Sequence, residues 1–142
     1  MRILELNELI RERDNFLSLL SFSSHESYII FKAVSDNGLR IREAMDGTRW
    51  QMLDNGEYKL KTCKNGEERL INPSVLSGEY IARLKGGSKN VSVYSYDTLL
   101  RHFSRCFVFK NARVGNKNVK THILRHIKAK ELSVNGLSIK EI

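Results

Sequence analysis

The stretch that departs from an otherwise helical pattern is residues 50–71, WQMLDNGEYKLKTCKNGEERLI. It contains two Asn-Gly dipeptides, at 55–56 and 65–66, each between short runs of strand-like residues. Asn-Gly suits the two central positions of a tight hairpin turn, where both residues take positive φ. The stretch therefore predicts a three-stranded antiparallel meander with strands at about 49–53, 57–63 and 67–72, and so small a sheet needs helices to pack on.

The residues before the meander predict two helices and a short helical turn. Apolar residues on one face and charges on the other indicate a helix over 7–20, with Asn7 as its N-cap and the polar residues 21–24 after it. A second helix over 25–36 should end at Asn37-Gly38, because glycine tolerates the left-handed conformation that often follows a helix. A short amphipathic turn follows over 39–45.

The residues after the meander predict three more helices. Asn72-Pro73 supplies the N-cap and the first residue of a helix that runs to about Leu84. Ser95 and Thr121 cap the other two, and a further helix could begin at Ser138. The apolar residues of the two capped helices are Leu99, Leu100, Phe103, Cys106 and Phe107 in the first, and Leu124, Ile127 and Leu132 in the second.

The composition is that of one folded domain, which we expect to span 1–142 with a mainly helical α+β fold. No apolar run approaches the ~20 residues that cross a membrane, and the early acidic residue Glu5 argues against a secretory leader. Cys63 and Cys106 are too few for a disulfide framework or a zinc site. We therefore expect a cytoplasmic protein with no membrane partner, no metal and no cofactor.

The net charge is strongly positive, with 24 basic and 16 acidic residues giving +8 at pH 7 and a pI near 9.7. Such a surplus on a small domain favours a polyanionic partner, of which nucleic acid is the commonest. Charge alone fits equally well a basic domain that binds no polyanion.

Three segments carry residues of chemical interest: Gly38-Leu39-Arg40-Ile41-Arg42-Glu43, His122-Ile123-Leu124-Arg125-His126, and residues 136–142, GLSIKEI. In this order, with the two-turn meander between the first two, they resemble the catalytic domain of the tyrosine recombinases, or phage integrases. That family places its first arginine in a G-L-R-x-x-E turn, a lysine on a β-hairpin, and its second arginine in an H-x-L-R-H helix. The resemblance covers nearly the whole chain and implies a double-stranded DNA partner and a role in DNA integration and recombination.

The residue types suit chemistry on a phosphodiester. Arg40 and Arg125 would each offer paired donors to its non-bridging oxygens, and neither guanidinium loses its proton near neutral pH. Glu43, one helical turn after Arg40, would hold that guanidinium by an i, i+3 contact. His122 lies one turn before Arg125 on the same helix face and would donate to an oxygen or move a proton.

The resemblance also implies a hairpin lysine that acts as general acid for the leaving 5′ oxygen. Lys64, just before Asn65-Gly66, aligns best with it, and Lys61 on the opposite strand face remains the alternative. We expect His126 to pack and hydrogen-bond inside the fold as a supporting residue. Plainer interpretations stay open, in which Arg40 is a solvated helix charge and Glu43 a surface ion-pair partner of little energetic weight.

The chain also departs from the family pattern. Its tyrosines all precede His122, whereas the family's nucleophilic tyrosine follows the H-x-L-R-H helix; they are Tyr28, Tyr58, Tyr80, Tyr94 and Tyr96. The family's separate N-terminal DNA-binding domain has no counterpart either. We therefore expect a C-terminally truncated recombinase-like domain from a mobile element that binds DNA but cannot cleave it alone.

Such a domain would be inert, modulate an intact recombinase, or receive a tyrosine from one, and an uncovered apolar groove would favour self-association. A second hypothesis is an active enzyme that uses another nucleophile, such as Ser138 or water. A third is a basic nucleic-acid or protein interaction module in which the H-x-L-R-H match is chance.

Overall fold

The computed structural model describes residues 3–64, 66–87, 89–106 and 121–136, and in these ranges the chain is mainly helical with one small sheet. The helices are α1 Ile3–Ser23, α2 His25–Asn37, α3 Ile41–Met45, α4 Gly78–Lys85, α5 Tyr96–Cys106 and α6 His122–Val134. The strands are β1 Trp50–Met52, β2 Tyr58–Lys61 and β3 Glu68–Ile71, with 3₁₀ turns at Gly47–Arg49 and Pro73–Val75. The α+β class predicted from the sequence is confirmed at this level.

The three strands form one antiparallel sheet in the order β1-β2-β3, which confirms the predicted meander. The register pairs Trp50 with Leu60 and Leu60 with Arg69. Gly56 and Gly66 have positive φ values of 87° and 70°, which the turns between the strands require. The strands are shorter at both ends than the predicted ones, because the ladder stops where the turns begin.

Helix α2 lies at the centre of the helical part and packs against α1, α3, α4 and α6. Its Phe31 is completely buried and meets Phe16 of α1 edge-on, with ring centroids 5.4 Å apart. Phe103 of α5 joins the same aromatic group, 5.1 Å from Phe16. As predicted, α2 ends before Gly38, whose φ of 62° stops the helix and turns the chain towards Arg40.

The predicted start of the first helix is wrong. Helix α1 begins at Ile3, so Asn7 lies inside it and is not an N-cap. Leu6 is buried before Asn7, so the apolar face that holds the helix on the core begins earlier than the capping signal suggests. Ser21, Phe22 and Ser23 also stay helical, and Ser24 is the N-cap of α2, its Oγ accepting from the Ser27 N–H at 3.3 Å.

The single helix predicted over 72–84 is also wrong. Asn72 does cap a turn, since its Oδ1 accepts from the Ser74 N–H at 2.9 Å, but this turn is only the 3₁₀ segment Pro73–Val75. Leu76 is extended and buried, and Ser77 then caps α4 by accepting from the Tyr80 N–H at 3.2 Å. Burial of Leu76 therefore interrupts what the sequence presents as one helix.

The last two helices follow the prediction in their positions. Ser95 caps α5, because its Oγ accepts from the Thr98 N–H at 3.2 Å. Thr121 stands directly before α6, but its backbone is helical and its side chain makes no capping hydrogen bond among the described residues, so the predicted cap is wrong. Phe107 and Ser138 lie outside the described residues.

Helix α3 carries the first arginine motif and has only five residues, too few to be stable by itself. Two side chains from other elements hold it. The Tyr80 hydroxyl donates to the Ala44 carbonyl oxygen at 2.6 Å, and the Trp50 indole N–H donates to the Glu43 carbonyl oxygen at 2.9 Å. Burial raises the pKa of Tyr80 far above its usual value, so its hydroxyl remains a donor.

Within the described ranges, no helix has both the length and the apolar character that a membrane crossing requires.

We expect Tyr80→Phe to lower the free energy of unfolding by about 1–3 kcal/mol, because it leaves the buried Ala44 carbonyl oxygen without this donor. Tyr58→Phe is the matched control. The Tyr58 hydroxyl is buried and has no hydrogen-bond partner in the described part of the chain, so its removal should be neutral or stabilising. Urea unfolding of both variants measures the difference, and equal losses would contradict the role given to Tyr80.

Candidate functional site

A buried carboxylate lies at the centre of the candidate site. The Glu43 side chain, in the first turn of α3, is 0% exposed. Its Oε1 accepts from the Arg40 backbone N–H at 2.8 Å, and its Oε2 accepts from Arg40 Nη1 at 3.0 Å and from the Cys63 backbone N–H at 2.9 Å. One carboxylate thus connects the start of α3 to the turn after β2.

Glu43 stays ionised at neutral pH. Burial by itself raises the pKa of this carboxyl, but the hydrogen bonds from the backbone N–H groups of Arg40 and Cys63 and from the Arg40 guanidinium outweigh burial and lower it. The interpretation of Glu43 as a weak surface ion-pair partner is therefore wrong, since no part of the side chain reaches solvent.

Arg125 of α6 reaches the other side of the same carboxylate. Its Nη1 lies 3.9 Å from Glu43 Oε1, beyond hydrogen-bond distance, and has no hydrogen-bond acceptor among the described residues. The side chains of Arg40 and Arg125 are 25% and 26% exposed, so both are partly accessible to solvent, although Arg125 Nη1 itself is buried. Folding thus brings together the two arginines that the sequence motifs single out.

A third arginine, not predicted from the sequence, interacts electrostatically with these groups. Arg69 of β3 is only 7% exposed, and its Nη2 donates to the Asn37 carbonyl oxygen at 2.7 Å. Burial and the positive charge of Arg125 lower the pKa of Arg69 to about 10, while Glu43 acts in the opposite direction. Arg69 therefore remains charged at neutral pH, in the electrostatic field of the Glu43 carboxylate.

The alternation of inward and outward side chains along β3 could have predicted from the sequence that Arg69 is buried. Side chains two residues apart lie on one face of a strand, so Arg69 shares the face of Ile71, which is completely buried. Leu70 points the other way and is 48% exposed. An apolar residue outside and a charged residue inside invert the usual strand pattern, and the paired partner Leu60 on the core side confirms the assignment.

The hairpin lysines lie next to the cluster along the chain. Lys64 directly follows Cys63, whose N–H donates to Glu43, and the Lys64 carbonyl oxygen accepts from the Glu67 N–H at 3.0 Å. Lys61 is the last residue of β2, and both lysine side chains are exposed. The structure places the turn at the site and leaves the choice between Lys64 and Lys61 open.

The two histidines of the H-x-L-R-H segment have different surroundings. His122 is the first residue of α6 and is exposed, one turn before Arg125. His126 is half-buried, and burial together with the charge of Lys130 lowers its pKa. His126 packs as expected, but it makes no side-chain hydrogen bond within the described ranges, contrary to our expectation.

The charges of the cluster do not balance. Three guanidinium groups, those of Arg40, Arg69 and Arg125, surround the single buried carboxylate of Glu43. Burial and the neighbouring Arg40 charge lower the pKa of Arg125, whereas Glu43 and the exposed Glu67 raise it. Even with Glu67 counted, the five groups carry an excess of positive charge, so a bound oxyanion would stabilise the site.

No group of three or more His, Cys, Asp or Glu side chains that could hold a metal ion occurs in the described ranges. The polar groups of the site are mainly donors: the guanidiniums of two partly exposed arginine side chains, an exposed imidazole and exposed lysines. Such a set suits an anionic ligand rather than a cation.

We expect the free energy of unfolding to decrease as the pH falls below about 4.5, the ordinary pKa of glutamate, because Glu43 has a lower pKa when folded and the unfolded chain therefore binds more protons. Glu26 and Glu131 act in the same direction. Glu43→Gln should reduce the slope of stability against pH in this window. Urea titrations between pH 3 and 6 measure it, and an unchanged slope would contradict the ionised state of Glu43.

Comparisons of the chain with protein-family models, curated proteins and solved structures gave no match. The residues and the geometry of this site are therefore the basis on which we infer the function.

Proposed function

We propose that this chain binds the phosphodiester backbone of double-stranded DNA at the Arg40–Arg125 cluster, as a recombinase-like protein of DNA integration and recombination. One observation carries the proposal. Two arginines from distant parts of the chain meet at one buried carboxylate, and both of their side chains remain partly exposed. Glu43 orients Arg40 by direct hydrogen bonds, which leaves its remaining N–H groups for a ligand.

The chemistry of a phosphodiester fits these donors. Its two non-bridging oxygens accept several hydrogen bonds in a plane, and each guanidinium presents parallel N–H groups in a matching geometry. The surrounding positive charge adds attraction at longer range, since the whole chain carries +8. Contacts of this kind hold a protein on the DNA backbone without reading base sequence.

His122 and Lys64 complete the proposed site. His122, exposed one turn before Arg125, donates to a phosphate oxygen. Lys64 directly follows Cys63, whose backbone N–H donates to Glu43, and it supplies a proton to the leaving 5′ oxygen of the cleaved strand. Both roles follow the resemblance to the tyrosine recombinases, and Lys61 is the alternative for the second role.

No tyrosine of the sequence is assigned to the attack on phosphorus. All five precede His122, and Tyr58 and Tyr80 are buried, 3% and 0% exposed. We therefore propose that this chain binds the ester, and that a strand-transfer step uses a tyrosine from outside this sequence, such as that of an intact recombinase.

Removal of either guanidinium should weaken DNA binding. We expect Arg40→Gln and Arg125→Gln each to raise the Kd for a labelled duplex by roughly tenfold or more, the cost of a lost charged hydrogen bond. The slope of log Kd against log salt should also decrease by about 1 for each lost phosphate contact. Fluorescence anisotropy at several salt concentrations measures both quantities.

The matched control is Arg11→Gln, which removes the same charge from an exposed position on α1. We expect a much smaller rise in Kd for this variant. Equal effects at Arg11, Arg40 and Arg125 would contradict the proposal and favour a basic interaction module without a defined phosphate site.

We expect the chain alone to leave supercoiled plasmid uncut and to nick it no more than Arg125→Gln does, because we propose that the attacking tyrosine comes from another protein. Agarose gels after incubation measure nicking, and a denaturing gel detects covalent protein–DNA adducts. Cleavage that depends on Arg125 would contradict this expectation and favour a nucleophile within the chain, such as Ser138 or activated water.

A further inference from the structure

Arg69 is a buried charge that the proposed binding contacts do not use. The residue is 7% exposed, whereas the side chains of Arg40 and Arg125 are 25% and 26% exposed. Its Nη2 is occupied by the Asn37 carbonyl oxygen at 2.7 Å. Arg69 is therefore the inner, least exposed of the three arginines, and Arg40 and Arg125 are the outer two.

The cost of burying this charge calls for a physical reason. A buried guanidinium is retained when nearby groups stabilise it, and the carboxylate of Glu43 supplies that stabilisation electrostatically. However, the Glu43 carboxylate accepts its hydrogen bonds from the backbone and guanidinium of Arg40 and from the Cys63 N–H. Arg69 thus acts on the carboxylate mainly through its field and through the segment that it holds.

We propose that Arg69 is a positioning residue that keeps the Arg40–Arg125 site positively charged and open to an oxyanion. This inference rests on the proposed function of that site. The Arg69 charge offsets the Glu43 charge, so that the cluster keeps a positive excess although Arg40 pairs directly with the carboxylate.

The position of Arg125 supports this role. Its Nη1 stays 3.9 Å from Glu43 Oε1, too far for a hydrogen bond, although opposite charges attract strongly in a buried setting. Without the Arg69 charge, Arg125 would be drawn onto Oε1, and its donors would be used inside the protein. With that charge present, Arg125 makes no hydrogen bond to the carboxylate, and its positive charge adds to the excess that attracts an oxyanion, although Nη1 itself is buried.

The hydrogen bond to Asn37 supports the same role by geometry. Asn37 is the last residue of α2, and Gly38 turns the chain from there towards Arg40. Arg69 thus holds the start of the segment that carries Arg40, and it does so from the strand beside the Cys63 turn. One side chain therefore sets both the charge of the site and the position of its first arginine.

Inorganic phosphate is the probe for the test, with duplex DNA as the second ligand. The measurements are the rise in Tm with phosphate at constant ionic strength, and the Kd for DNA by anisotropy. We expect Arg69→Met to weaken phosphate and DNA binding by roughly tenfold, and Arg69→Lys, which keeps the charge, to bind within about threefold of the original chain.

Arg83→Met is the matched control, because Arg83 also donates to a backbone carbonyl oxygen, that of Val91 at 3.1 Å, and pairs with Glu26 at 2.7 Å. It should lower Tm without changing the phosphate response. A role of Arg69 in stability alone predicts the same behaviour for Arg69→Met, and that result would overturn the proposal.

Arg69→Gln removes the charge but keeps side-chain N–H groups that can donate to the Asn37 carbonyl oxygen. We expect it to bind phosphate as weakly as Arg69→Met. If Arg69→Met does not fold, Arg69→Lys and Arg69→Gln decide the question, since equal phosphate binding by these two variants would overturn the role in charge.

The failures of the two proposals are distinguishable. If Arg125→Gln loses phosphate and DNA binding while Arg69→Met keeps both, only the role of Arg69 is wrong. If the original chain responds to neither ligand, the proposed function is wrong, and the inference drawn from it is overturned as well.

Discussion

The buried Glu43 carboxylate is the interaction on which the rest of the site depends. An ionised carboxylate removed from water is costly unless several donors replace its hydration, and Glu43 receives them from the Arg40 backbone, the Arg40 guanidinium and the Cys63 backbone. These donors belong to two separate parts of the chain. Satisfying one buried charge therefore fixes the start of α3 against the turn after β2, and Arg125 of α6 completes the arrangement at 3.9 Å.

The excess of guanidinium groups around that carboxylate turns a structural feature into a candidate binding site. A single buried ion pair would be neutral and would need no ligand. Here Arg40, Arg69 and Arg125 surround one buried acid, and the two outer arginines remain partly exposed. The arrangement combines a buried part, which holds the geometry, with an exposed part, which offers hydrogen-bond donors to an oxyanion.

Local signals in the sequence predicted some elements well and misplaced others, for identifiable reasons. The hairpins and the end of α2 depend on glycine conformations within a few residues, so Gly56, Gly66 and Gly38 predicted them correctly. Asn7 has the chemistry of an N-cap, yet burial of Leu6 extends α1 before it. A capping residue indicates where a helix can begin, whereas contacts with the core decide whether it does.

The sequence by itself determined the order of the elements, the meander, and the choice of Arg40, Glu43 and Arg125 as residues of interest, because motifs and turn signals are local. Only the tertiary structure decided that Glu43 is buried beside two arginines and that Arg69, buried as well, belongs to the same group of charges. The reason is physical: burial and electrostatic environment depend on which residues from distant segments pack together, and the spacing within one segment does not contain that information.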